Sequence, residues 1–407
     1  MSGVRWKLTE MLAGAAGGHL ETAEDREGVT RLTIRVPEAA LRDLRSRLAR
    51  AMWPDPVRAE PWCDGTDRDF LQRLVDHWLH SFNWRTQERL INEWPHYRAV
   101  VGGTGIHFVH VRGRHPNCIP LLLCHGWPSS FLEYRRLIPL LDDVFDLIIP
   151  SLPGFAFSDI PSSSGMHVGR IATLYDELMT KVLGYQRYGA HGSDIGASVV
   201  SLIGLETPEH LLGVHLPYVT GSAVKRELNH GAPPLTAAER EFLREAGEWN
   251  DVEGAYAHLH RTKPQTLAYA LHDSPVGLAS WLVEKYRAWS DCHGDVTSRF
   301  SLDELLTTIT LYWVTGTIGS SIRLYYEGRL HPRQLRPGER VEVPCGVSLF
   351  PGDIAHPPRE WAERAYRVTR WTEMPCGGHF PAHEEPKLLA EELRAFFLPL
   401  DDREATP

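Results

Sequence analysis

The spacing of apolar residues changes along this chain, and each change predicts an element. "TRLTIRVP" alternates apolar and polar like a half-buried strand, and Leu41, Leu44, Leu48 and Met52 then recur at helical spacing. A second helical region is "FLQRLVDHWLHSFNWRTQERLINEW", and "HYRAVVGGTGIHFVHVRG" reads as two strands around a Gly-Gly-Thr-Gly turn. Short continuous apolar runs follow, in "CIPLLLCHGWP", "VFDLIIPSLPG", "QRYGAHGSD" and "LLGVHLPYV". Helical stretches such as "SSFLEYRRLIPLL" and "GRIATLYDELMTKVLG" separate them. Buried strands alternating with helices predict a mostly parallel sheet covered on both faces, an α/β fold. The alternation stops near residue 219. Residues 219–335 are helical in pattern and rich in Trp and Tyr, and strand patterns return in "VPCGVSLFP" and "YRVTRWTEM" before the amphipathic "EPKLLAEELRAFFLPL". The expected organisation is a tail over 1–28, an N-terminal segment over 29–115, and a sheet core in two parts, 116–218 and 336–407. A helical insertion over 219–335 divides that core.

Gly192-Ser193-Asp194-Ile195-Gly196 has the Gly-x-nucleophile-x-Gly spacing of a tight strand-to-helix turn, with aspartate where serine would be usual. The glycine register selects Asp194 rather than Ser193. In open α/β sheets the site lies at the carboxyl ends of the strands. His125-Gly126-Trp127-Pro128, the Asp194 turn, Phe350-Pro351-Gly352-Asp353 and Gly377-Gly378-His379-Phe380 each follow a predicted strand. In chain order Asp194, Asp353 and His379 give the nucleophile, acid, histidine sequence of an α/β-hydrolase. Asp353 also reads as a cap for the helix in "PPREWAERAY".

A carboxylate nucleophile suits an electrophilic sp³ carbon, as in an epoxide or alkyl halide, because an alkylated aspartate is an ester that water can cleave. His379 is then the base, Asp353 its orienting partner, and the backbone N–H groups of Trp127 and Ile195 the oxyanion donors. A cis bond before Pro128 fits that turn. An opened epoxide needs a proton donor. The helical insertion offers Tyr256, Tyr269, Tyr286, Tyr312, Tyr325 and Tyr326, and spacing does not choose among them. A neutral base and a protonated phenol set a pH optimum between about 6.5 and 10 if both groups keep their ordinary values.

The chain has 407 residues, 43% hydrophobic and 23% charged, with a formal net charge of −9. That balance disfavours nucleic-acid or anionic-membrane partners. Cys63, Cys118, Cys124, Cys292, Cys345 and Cys376 form no C-x-x-C pair and read as free thiols of a reducing, cytoplasmic setting. No apolar run is long enough to span a membrane, and "MSGVRWKLTEMLAGAAGG" lacks the continuous apolar region of a signal peptide. His379 and His383 are four apart beside Glu384, but Pro381 lies between them, and His107 and His110 point to opposite strand faces, so no metal site and no cofactor are expected. The Trp-rich N-terminal segment is expected to pack on the core or on the helical insertion.

"HGWPSSFLEYRRLIPLL", "PSLPGFAFSD", "HGSDIGA", "KPQTLAYALHDSPVGLASWLVEKYRAW", "YWVTGTIGSSIRLYYE", "FPGDIAHPPREWAERAY" and "MPCGGHFPAHEEP" together resemble the microsomal-type epoxide hydrolase family, from about Thr30 to about Leu400. The resemblance implies an α/β-hydrolase fold with a helical cap and an N-terminal extension, acting on an epoxide and water. It places the nucleophile on Asp194, the charge-relay acid on Asp353, the histidine on His379 and the two cap tyrosines on Tyr256 and Tyr325, with Tyr326 the competing choice beside it. The membrane anchor of the family's animal members has no match here, and Ile195 replaces the tryptophan that many members carry after the nucleophile. Other readings are a haloalkane or haloacid dehalogenase with the same triad and a ligand receptor on a hydrolase fold. A homodimer remains open, and the epoxide itself is not named by the sequence.

Overall fold

The computed structural model describes residues 12–14, 28–55, 60–217, 219, 234–333, 335 and 339–401. Ten strands form one sheet: β1 Leu12–Gly14, β2 Val29–Ile34, β3 His96–Val101, β4 Thr104–Val111, β5 Ile119–Cys124, β6 Phe145–Pro150, β7 Tyr188–Gly192, β8 Leu211–Leu216, β9 Val341–Leu349 and β10 Tyr366–Glu373. Their spatial order is β1-β2-β3-β4-β6-β5-β7-β8-β9-β10. The pairings from β1 through β4 to β6 are antiparallel, and those from β6 through β5 to β10 are parallel. The fold is an α/β-hydrolase fold, with the parallel half of its sheet flanked by helices. Every residue of β5, β7 and β8 is buried, which is why their sequences are apolar or small rather than alternating, apart from His191 and His215, whose buried rings hydrogen-bond to each other at 3.1 Å.

The β3–β4 hairpin pairs Val101 with Thr104, leaving Gly102 and Gly103 as a two-residue turn at φ 52° and 81°. Positive φ at both turn residues gives the primed turn whose twist matches the strands. Most of the expected tail lies outside the described residues, but Leu12–Gly14 adds an edge strand to β2.

The N-terminal segment supplies α1 Glu38–Leu48, α2 Arg68–His80 and α3 Trp84–Ile91. The second helical region thus divides into two helices, because Asn83 accepts from Thr86 N and restarts the chain as a helix cap. The core then contributes α4 Val168–Glu177 and α5 Ile195–Glu206. Between β8 and β9 come α6 Ala237–Glu253, α7 Ala255–Thr262, α8 Pro264–Asp273, α9 Pro275–Trp289, α10 Leu302–Thr315 and α11 Ile318–Leu330, and α12 Pro386–Phe397 closes the chain. The start of the helical insertion, 220–233, lies outside the described residues.

The N-terminal segment holds this helical segment directly. Trp78 Nε1 donates to Thr310 Oγ1 at 3.0 Å in a buried contact, and Thr66 Oγ1 donates to Ser280 O at 2.8 Å. Arg47 pairs with Asp273 and His77 with Asp303, both at 2.7 Å, but these pairs are partly exposed and weak in water. The tethering therefore rests chiefly on buried packing and the Trp78 bond. Among the described residues no helix is long and apolar enough to cross a membrane, and all six cysteines are free.

Candidate active site

Four loops leave the carboxyl ends of parallel strands and converge. β7 ends at Gly192, and the chain turns through Asp194 into α5. Asp194 sits at φ 51°, ψ −119°, a conformation non-glycine residues rarely adopt. Its neighbours must be small. A Cβ on Gly192 would lie 2.3 Å from Gly196 O, and one on Gly196 would lie 2.0 Å from Cys124 O. A Cβ on Gly126 would come within 2.4 Å of the Asp194 side chain. The glycines let the β5 and β7 loops close around one carboxylate.

That carboxylate is held on both sides. Trp127 N donates to Asp194 Oδ1 at 2.9 Å, in a loop whose Trp127–Pro128 bond is cis. Asp194 Oδ2 lies 3.6 Å from His379 Nε2. On the far side of the ring, His379 Nδ1 donates to Asp353 Oδ1 at 2.6 Å. His379 is 1% exposed and Asp353 8%. Ile354 N also donates to Asp353 Oδ1, while the helix after it, Arg359–Glu363, begins behind Pro358 instead, so Asp353 is not its cap. The His379 loop is fixed by its own backbone, with His379 N donating to Trp289 O at 2.8 Å. Ile195 is the first residue of α5, where a backbone N–H has no acceptor within the helix.

Burial alone would lower the pKa of His379. The Asp353 and Asp194 carboxylates outweigh it and raise the value to about 10. With both aspartates ionised, His379 therefore carries a proton at neutral pH, which displaces the pH limit expected from an ordinary histidine. His125, deeply buried, is pushed down to about 4 by that burial. Its Nδ1 donates to Gly126 O and its Nε2 accepts from Leu152 N, so it serves as a neutral brace for the loop.

Across from Asp194, the helical segment presents aromatics. The Tyr256 ring of α7 stacks on Trp127 with centroids 5.4 Å apart and planes 10° apart. Tyr325 of α11 meets Tyr256 and Trp127 edge-on at 6.0 and 6.1 Å, and the two tyrosine hydroxyls are hydrogen-bonded. Burial, then the nearby Tyr256 and Asp194, hold the Tyr325 hydroxyl well above the usual phenol range. Tyr326 turns the other way, between Arg323 and Arg329. The remaining tyrosines point elsewhere: Tyr269 is exposed, Tyr286 stacks on Phe380, and Tyr312 donates to Ser129 O.

Comparison with known proteins bears on the family and the fold. A model of the epoxide hydrolase N terminus matches residues 29–134, and a model of the alpha/beta hydrolase fold matches residues 119–224. Epoxide hydrolase 1 of Oryctolagus cuniculus is 34% identical over 407 residues, 91% of this chain and 89% of the relative. The chain belongs to the epoxide hydrolase family. Among solved structures, the epoxide hydrolase of Aspergillus niger matches with a TM-score of 0.80 at 29% identity, covering 91% of this chain and 96% of that one. Juvenile hormone epoxide hydrolase of the silkworm Bombyx mori matches with a TM-score of 0.83 at 26% identity, covering 92% and 95%.

Several groups at the site of this family member escaped sequence reasoning. The Trp289 indole meets the His379 ring edge-on at 5.3 Å. Lys285, buried, lies over the Tyr256 ring at 5.1 Å while pairing with Glu253 and Glu284. Glu133 and Glu384 are buried carboxylates, each pushed up to about 7 by that burial. Their sequence signal was an acidic residue inside an apolar stretch, as in "SSFLEYRR". His383, four residues after His379, turns its Nε2 toward Glu304 at 3.5 Å.

Proposed function

We propose that the chain hydrolyses an epoxide to a vicinal diol through an ester on Asp194. One observation carries the reading: a single carboxylate at the elbow lies between a backbone N–H and the histidine, facing a hydrogen-bonded pair of tyrosines. In this reading residues 219–335 act as a cap over the nucleophile, and residues 29–115 brace that cap through Trp78 and Thr66.

The reaction has two stages. Asp194 attacks a ring carbon, and Tyr256 and Tyr325 donate to the oxygen as it becomes an alkoxide. Burial holds the Tyr325 hydroxyl above the usual phenol range and so keeps it protonated at neutral pH, although it also makes that phenol a weaker acid. The ester removes the Asp194 charge that held a proton on His379. Freed of that charge, His379 takes a proton from water as the water attacks the ester carbonyl, with Asp353 stabilising the imidazolium. The oxyanion on the former carboxylate is met by the N–H groups of Trp127 and Ile195. The partners are thus a small epoxide and water.

A single turnover in heavy-oxygen water tests the ester. Label should enter the Asp194 carboxylate first and reach the diol only on later turnovers; label in the first diol refutes the covalent route. A dehalogenase reading keeps one observation in its favour. The indole N–H groups of Trp127 and Trp289 are buried without a hydrogen-bond partner among the described residues, and such donors can hold a leaving halide. Halide release from haloalkanes at a rate matching diol formation from epoxides would shift the assignment to that chemistry.

A further inference from the structure

Beside the site, and not used by the reaction above, lies a chamber of about 30 Å³ lined by Ser129, Glu133, Tyr286, Thr308, Glu304 and His383. That volume has room for one or two waters, and its walls supply several polar partners. Glu133 forms the inner wall. It is 6% exposed, and its Oε1 has no hydrogen-bond partner among the described residues, while the Ser129 hydroxyl bonds to the carboxylate. A buried carboxylate oxygen left open is costly unless it has work to do. Glu384 makes the contrast: its two oxygens accept from Phe380 N at 3.0 Å and Asp291 N at 2.8 Å, so it is fully used in holding loops. The outer wall includes Glu304, partly exposed and paired with Arg136 at 2.7 Å.

Resting on the covalent reading above, we propose that Glu133 is the store for the proton that His379 must give up between the two stages. In the free enzyme Asp194 and His379 form an ion pair and Glu133 is ionised. When Asp194 becomes an ester, the His379 Nε2–H bond breaks and the proton passes by way of a water to the Glu133 carboxylate. The water gains one proton and gives up another, so it is unchanged. His379 is now neutral and can take a proton from the attacking water. The proton that His379 takes from the attacking water passes on to the tyrosine that protonated the opened ring. When the Asp194 carboxylate re-forms, the proton stored on Glu133 returns to His379, so epoxide plus water becomes diol with no proton gained or lost over the cycle.

The electrostatics agree with such a store. Burial first, then Asp194 and Glu384, push Glu133 up to about 7, against the opposing pull of Ser129 and His379. A group of that strength exchanges a proton readily near neutrality. Glu133 touches no reacting atom. It acts through His379 and is a positioning residue.

The test separates the stages, with styrene oxide as the probe. In Glu133→Gln the alkylation rate should stay within about twofold, while ester cleavage at pH 7 falls at least about tenfold. That defect should shrink toward pH 9, where hydroxide removes the His379 proton directly. A structural role would instead slow both stages equally at every pH, and that result overturns the proposal. So does unimpaired cleavage. Should Glu133→Gln not fold, the wild type still decides. A pH indicator in weak buffer should register no proton released as the ester forms, whereas one proton per site means the histidine discharges to solvent and the store does not exist. Intact mass of quenched samples keeps the two readings apart: absence of any adduct refutes the ester, while an adduct with the wrong proton count or pH profile refutes only the role of Glu133.

Discussion

Replacing Asp194 by asparagine imitates the loss of charge that alkylation causes while keeping an oxygen for Trp127 N. The consequence for His379 can be sized from one distance. Two unit charges 3.6 Å apart, the separation of Asp194 Oδ2 and His379 Nε2, attract by about 4–5 kcal/mol at an effective dielectric constant of about 20. That corresponds to about 3 pH units of proton affinity. Asp194→Asn should therefore lower the His379 pKa from about 10 to about 7, with Asp353 still holding the far nitrogen. Titration of nitrogen-labelled imidazoles by NMR reads this directly, with intact mass confirming that the amide persists. Stability gives a second reading. A histidine whose folded pKa is raised stabilises the protein fully below its unfolded value and loses that contribution as pH climbs through the folded one. The wild type should thus lose stability between about pH 6.5 and 10, by up to about 1.4 kcal/mol per pH unit from this group. In the variant that loss should end near pH 7. A His379 titration within about one unit of the wild-type value would refute the reasoning, because Asp194 would then not be what holds the proton.

His379→Gln should still be alkylated but should not release product, so that intact mass shows protein plus substrate; a variant that binds substrate and forms no adduct contradicts the division of labour. Tyr325→Phe should slow alkylation by about a hundredfold, as loss of one donor to a developing oxyanion does, whereas Tyr326→Phe should leave the stopped-flow rate unchanged. Gly196→Ala should lower the thermal midpoint and cost about 3 kcal/mol or more, since its Cβ would meet Cys124 O at 2.0 Å; a wild-type melting curve would disprove the close approach of the β5 and β7 loops.

What could be read from the sequence was set by local geometry. Asp194 could be placed because the elbow needs small residues at two fixed offsets, and only one register of the glycines supplies them. The hairpin turn could be placed because only glycine readily holds φ 52° and 81° in succession. The break between α2 and α3 was less legible, because a buried apolar pattern runs across it and only Asn83 marks the restart. Choosing between Tyr325 and Tyr326 was beyond the pattern. Neighbours on a helix point about 100° apart, and which one faces Asp194 depends on how α11 packs against α7. Nor could the protonation of His379 be foreseen from its motif, since Asp353 and Asp194 come from separate loops. Glu133 was hidden for a related reason: a buried carboxylate oxygen left unpaired beside a chamber is a property of the assembled walls.

These long-range effects give the site its order of events. In the covalent route proposed above, Asp194 is both the attacking group and the charge that keeps His379 protonated, so the base is withheld while the nucleophile is free and released once the nucleophile is spent. Water is not activated before there is an ester to cleave. Asp353 cannot impose that order alone, because its charge is constant through the cycle. The separation of 3.6 Å between Asp194 and His379 sets the strength of the coupling, and the coupling needs a proton acceptor within reach when the charge disappears. In the proposal above, a buried carboxylate poised near neutrality within the field of the histidine would meet that need without exposing the site to bulk water, which is the physical reason to expect Glu133 to change the second stage and spare the first.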